Sequence, residues 1–160
     1  MKKIITMVLV GLLILSSSIV AFAEEPNDNL GENLLEAKEF TGEIHQINAL
    51  RIEGTQLRIQ MIEKNDQLID LFIQTREAGE KEALKAAKEE RMKIKEINNE
   101  IKSLHEQAAA ARKAFREAVR NDDNETAGTE IERLINIHSS VNEKKEAKIE
   151  VLDNIIDILS

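Results

Sequence analysis

The chain of 160 residues contains no cysteine, no tryptophan and no tyrosine, with one proline, six glycines and four phenylalanines. Each shortage excludes something. Without cysteine there is neither a disulfide framework nor an N-terminal cysteine for lipid attachment. With so little aromatic surface, stacking platforms for bases or sugars are not expected. One proline leaves helices largely uninterrupted, and a composition led by Ala, Glu, Lys, Ile, Leu and Asn favours helices over strands.

What is present begins with "MKKIITMVLVGLLILSSSIVAFAEEPND": two lysines, an apolar run from Ile4 to Leu15, three serines, then Ala21-Phe22-Ala23 before paired glutamates. These features predict a secretory signal peptide over residues 1–23, cleaved after Ala23. An uncleaved anchor is the competing reading, since Ile4 to Phe22 approaches the roughly 20 residues that span a bilayer; the serines and the A-x-A site favour cleavage. The destination is then exported and soluble, periplasmic or extracellular, with no stable membrane anchor. Removing 23 of the 160 residues leaves 137, enough for one domain, and removing Lys2 and Lys3 leaves 20 basic against 30 acidic residues, a net charge of −10. That balance opposes nucleic-acid binding, which needs a cationic field over the contact surface.

Residues 24–40 combine Pro, Gly, Asn and acid with few apolar anchors, which predicts a flexible acidic segment with one short turn near Leu34. From Thr41 the pattern changes. Ile44, Ile47, Leu50, Gly54, Leu57, Met61, Asn65, Leu68 and Phe72 recur at threes and fours, so they share one helix face, and a second row runs beside them: Ile52, Ile59, Ile62, Asp66, Ile69 and Ile73. Gly79 suits a C-terminal cap after this helix. A helix continuing through it costs only about 1 kcal/mol relative to alanine, so one very long helix stays open.

The next segment is stricter. Ala83, Ala87, Glu90, Ile94, Ile97, Ile101, Leu104, Ala108, Ala111, Phe115 and Ala118 alternate spacings of four and three without a slip, an a/d seam of the kind a coiled-coil partner requires. "RNDDNETAG" supplies a turn, with Asp122 and Glu125 as a capping-box variant. A third stripe then reads Ile131, Ile135, His138, Asn142, Lys145, Ile149, Leu152, Ile156 and Leu159, flanked by Leu134, Val141 and Ile155. Its polar middle is inconsistent with a simple core. The fold class expected is all-α: helices over about 43–78, 82–120 and 124–159, roughly 54 Å each, in an antiparallel up-down-up bundle or coiled coil within a domain spanning 41–160. Charge suits that order, because residues 76–120 sum to +3 between acidic segments of −7 and −6.

Few constellations suggest chemistry. A hairpin turning near residue 122 sets His105 level with His138 and leaves His45 about 15 Å away along the axis. Two histidines without H-x-x-x-H spacing are a weak metal signal, so metal ligands are assigned to none, and a partly buried His138 is the simpler reading. The pair would still make the bundle pH-sensitive. Arg112, Lys113, Arg116 and Arg120 are dense enough to attract an anion, but they occupy the last turns of a helix, where cations complement its dipole. Asn65, Asp66 and Lys145 interrupt apolar rows as register-setting residues do. No nucleophile elbow, phosphate loop or EF-hand spacing occurs, so no catalytic or cofactor-binding residues are assigned and an enzyme is not expected.

A signal peptide, an alanine-terminated cleavage site and some 130 residues of amphipathic helix resemble the small envelope proteins of the Spy/CpxP type. The L-T-x-x-Q motifs of that family are absent, and the nearest run, "LRIQ" at Leu57 to Gln60, does not match. No functional residue carries over. The resemblance implies binding of unfolded or amphipathic polypeptides on an exposed helical face, without cofactor. The expectation is therefore a non-enzymatic exported binding protein, chaperone-like, using the spare isoleucine row of the first and third helices. The alternatives are a homo-oligomeric coiled-coil spacer that buries the same row between protomers, and a metal-responsive envelope protein using His105 and His138.

Overall fold

The computed structural model describes residues 38–160. The expected signal peptide and most of the acidic segment lie outside the described residues. A short 3-10 turn, Lys38–Phe40, leads into three helices: α1 (Thr41–Glu77), α2 (Lys81–Arg120) and α3 (Asn124–Leu159). The described residues are all-helical, and the three helices pack against one another. Of the segment expected to be flexible, Lys38–Phe40 is described: the Phe40 ring meets Phe115 edge to face at 5.5 Å between centroids, and Asn124 donates to Glu39.

Both connections are tight, and each is built from the same backbone device. Gly79 adopts φ +77°, its N–H donates to Arg76 O, and Glu80 N–H reaches back to Thr75 O. This pair of bonds, with a left-handed residue between, is the Schellman arrangement that satisfies the last carbonyls of a helix. A true turn therefore separates α1 from α2. At the second connection Asp122 takes the left-handed position with φ 53°, Asp122 N–H bonds Val119 O and Asp123 N–H bonds Ala118 O. Asp123 then serves α3 as well, its carboxylate accepting from Thr126 N–H at 3.1 Å. The cap is thus Asp123 with Thr126, not the expected Asp122 with Glu125, because Asp122 is committed to ending α2.

The helix at the centre is α3. It packs along both α1 and α2, which touch each other at few points. Expecting the basic helix to lie between two acidic ones follows chain order, but the acidic α3 occupies the middle, since its two apolar flanks need two neighbours. Contacts between α1 and α3 advance in step: Leu50 with Asn142, Lys64 with Asp153, Thr75 with Leu159. Those between α2 and α3 run oppositely, as in Glu100 with Lys144 and Asn98 with Lys148.

Two larger apolar regions fill the interior, and a small third one, Ala118, Val119 and Ala127 with Phe40 and Phe115, closes the end at the Asp122 turn. Near the Gly79 turn, Leu68, Ala87, Val151, Leu152, Ile155, Ile156 and Leu159 form a buried cluster that draws in Phe72 and Ile94. Toward the other end, Ala108, Ala111, Leu134, Ile137 and Val141 pack with Ile47, Leu104 and Phe115. No position of the α2 seam, from Ala83 to Ala118, is exposed. Its buried members, Ala87, Ala108, Ala111 and Ala118, are all alanines, and small side chains there let the α2 and α3 backbones approach.

Candidate protein-binding face and the polar layer behind it

Between the two apolar regions lies a layer of polar groups that joins α3 to the backbone of α1. Asn142, 5% exposed, donates from Nδ2 to Leu50 O at 2.8 Å and to Glu53 Oε2 at 3.0 Å, and Lys145 Nζ donates to Gly54 O at 2.9 Å. Gly54 makes this seat. A Cβ there would stand 2.6 Å from both Asn142 Oδ1 and Lys145 Nζ, so only glycine lets the two side chains reach the carbonyls. The polar middle of the third stripe is therefore a latch onto α1. Sequence spacing singled out Asn142 and Lys145 without their partner; the legible signal was a glycine on the inner row of α1.

Cations dominate this level. Burial and the neighbouring Arg58 hold Lys145 below the ordinary ammonium range, against the opposing pull of Glu53. Burial also lowers Lys148, which donates to Asn98 Oδ1 at 2.9 Å, a pairing the sequence reading missed. His138 is brought down to about 4, first by burial and then by the charges of Arg112, Arg51, His105 and Lys145; its Nε2 is enclosed without a hydrogen-bond partner. His105 is lowered by burial, Lys145 and Arg112. The two histidines thus share one electrostatic neighbourhood. So much positive charge repels a divalent cation, and among the described residues no three His, Asp or Glu side chains gather as a ligand set.

The other interrupted positions fall in different settings. Asn65 donates to Met61 O one turn earlier, Asp66 points to solvent, and Glu90 in the α2 seam accepts from Lys93 at 2.6 Å. The basic cluster divides: Lys113 is exposed and lies 3.7 Å from Glu117, while Arg112 turns its charge toward the histidines. A groove of about 370 Å³ between α2 and α3, lined by residues including Glu100, Ser103, Ser140 and Lys144, is broadly open to solvent, and Lys144 there pairs with Glu100.

The feature with the most exposed apolar surface is on α1. Its inner row, Ile44 through Phe72, contains no exposed residue. Its second row lies about 115° round the helix at 100° per residue, and there Ile52 is 63% exposed, Ile59 52%, Ile62 50% and Ile73 44%. These four stand open among the described residues, while Ile69 of the same row is half-buried. The third helix is different: Ile131, Leu134, Val141, Ile155 and Ile156 are buried, because α3 spends both flanks on its neighbours. The expectation that both helices present a spare row is corrected to α1 alone.

No protein-family model, curated protein or solved structure matches the chain. No described helix is long and apolar enough to cross a membrane.

Proposed function

We propose that this is an exported, non-enzymatic helical binding protein of the cell envelope that engages polypeptide partners through the outer face of α1. The observation that carries the reading is the exposure of Ile52, Ile59, Ile62 and Ile73 along one line of one helix. Scattered surface isoleucines would mean nothing, but four on one stripe, interrupted only by Thr55 and Asp66, make an apolar strip along the helix. Such a strip fits an amphipathic helix or an unfolded segment, read at the spacing of successive turns.

The supporting scaffold is an antiparallel up-down-up course of three helices, to which the opposite senses of pairing along α3 conform. It holds α1 rigidly by its inner face and leaves the outer one available. Chaperone-like binding is also what the resemblance to Spy/CpxP-type proteins implies. Export rests on residues 1–23, whose charged start, apolar run and A-x-A ending suit signal peptidase. The acidic balance supports protein rather than nucleic acid as the partner. The metal-responsive alternative finds little support among the cations around His138.

The test is aggregation of a chemically unfolded client followed by light scattering, with the purified protein and with an Ile59→Asp, Ile62→Asp double variant. The protein should slow aggregation, and the variant should lose the effect while keeping its helical circular dichroism. Equal protection by both would show that the strip is not the binding face.

A further inference from the structure

The outer row of α1 carries more order than a nonspecific apolar strip needs. Including Thr55, it reads Ile52, Thr55, Ile59, Ile62, Asp66, Ile69 and Ile73, alternating steps of three and four. That is a second a/d seam, with isoleucine at five of its seven positions and one short polar residue in each half. A seam is written for another helix, not for a globular surface. The surface groove lined by Asn48, Arg51, Ile52 and Thr55 repeats the same geometry, because residues at i, i+3, i+4 and i+7 are the four that form the hole for one knob of a facing helix.

We infer that the occupant of this face is α1 of a second copy of the chain, laid antiparallel about a two-fold axis near Gln60. The inference rests on the proposed function, since it names the partner of the same face. Two independent features select this register. Setting Ile59 level with Ile62 of the second copy also sets Ile52 level with Ile69, and it brings Thr55 opposite Asp66. The two polar members of the seam meet each other, and every other core layer from residue 52 to residue 69 is isoleucine on isoleucine. The Thr55 hydroxyl, which donates to Arg51 O at 2.9 Å in the single chain, then has a carboxylate to turn to. Ile73 falls opposite Asn48 at the rim.

The charges beside the seam do not choose this orientation. Exposed Arg51 and Arg58 flank the seam on one side and exposed Glu63 and Asp70 on the other. An antiparallel pair sets each flank against its like, so the orientation is chosen inside the seam, by the pairing of Thr55 with Asp66. A parallel, in-register pair would offer Arg58 to Glu63, but it would also seat Asp66 against its own copy inside the seam, and two carboxylates at one buried layer cannot both stay ionised. The two polar layers weaken the antiparallel pair and fix its register, as a lone polar core residue does in coiled coils. The association is accordingly reversible, which leaves the face available to other polypeptides.

The absence of cysteine makes a direct test available. Ile52→Cys and Ile69→Cys proteins are oxidised separately and as a mixture, beside sedimentation of the unmodified protein and the client assay above. In the antiparallel pair, two copies of residue 52 stand about 25 Å apart along the axis, far beyond the 7 Å that a disulfide tolerates between Cα atoms. The expected result is a concentration-dependent dimer, a cross-link in the mixture, and little in either protein alone. Efficient homodimer cross-linking of Ile52→Cys would establish a parallel pair and overturn the inference. A protein that stays monomeric yet protects the client also overturns it, and leaves the proposed function standing. Monomer without client protection removes both.

Discussion

The two rows of α1 are written in nearly the same letters and meet opposite fates. The inner row has Leu57 and Leu68 buried and a glycine at Gly54, whereas the outer row has five isoleucines, four of them among the most exposed large apolar residues described. What separates them is company. The inner row faces an α3 whose residues were chosen to meet it, including the Asn142 and Lys145 latch onto the α1 backbone. Among the described residues, no other helix covers Ile52, Ile59, Ile62 or Ile73 of the outer row. Apolar periodicity marks where a helix can dock, and the polar residues on other helices reveal whether the chain itself supplies the dock.

The largest effect should come from the inner row. Leu68→Ala removes a side chain 1% exposed at the meeting point of three helices and should cost about 3 kcal/mol in chemical denaturation. Gly54→Ala is the sharper probe. Alanine would improve helix propensity by about 1 kcal/mol, yet its methyl must displace Asn142 and Lys145, so a net loss of about 2 kcal/mol is expected because buried donors lose their acceptors. A stabilised Gly54→Ala protein would show that the latch does not hold α1.

The histidines give the latch a pH signature. A base whose folded pKa is depressed contributes stability fully above its unfolded value, and the contribution is lost as pH falls. For His138 the window runs from about pH 6.5 down to about pH 4, and His105 acts in the same direction. After allowance for partial solvent access, unfolding free energy should fall by about 2 kcal/mol across that window from His138. His138→Leu should flatten the slope, measured by urea titration at several pH values. An unchanged slope would mean that the site is reached by water in the folded protein.

Much of this was legible beforehand, and the gaps have physical reasons. Three helices and the strict α2 seam follow from apolar spacing, which a helix converts directly into a face. The neighbourhood of His105 and His138 follows from chain geometry about one turn. That α3 rather than α2 lies in the middle was not legible, because charge sums say little about which helix has two faces to bury. The partner of the polar stripe was hidden as well, since Asn142 and Lys145 bind backbone carbonyls, which carry no sequence signal except the missing side chain at Gly54. Asp122 and Asp123 were similarly ambiguous: two adjacent acids can each cap, and only the left-handed φ at Asp122 distinguishes them.

Two smaller measurements complete the comparison. Asp122→Gly relieves a left-handed aspartate and should raise stability by about 0.5 to 1 kcal/mol, seen as a higher thermal midpoint. On the outer row, Ile62→Ala should change unfolding of the dilute monomer by no more than about 0.5 kcal/mol, because the side chain is half exposed there. A loss comparable to that of Leu68→Ala would erase the distinction between the rows.

The most direct measurement is sedimentation velocity of the protein and its Ile59→Asp variant over a range of concentrations, with thermal unfolding of both at the lowest. An outer row that docks a second copy requires reversible dimerisation of the unmodified chain, its abolition in the variant, and nearly equal unfolding of the two dilute monomers. Dimerisation untouched by Ile59→Asp, or a variant that no longer folds, would contradict the claim that α1 keeps one face for the fold and the other for a partner.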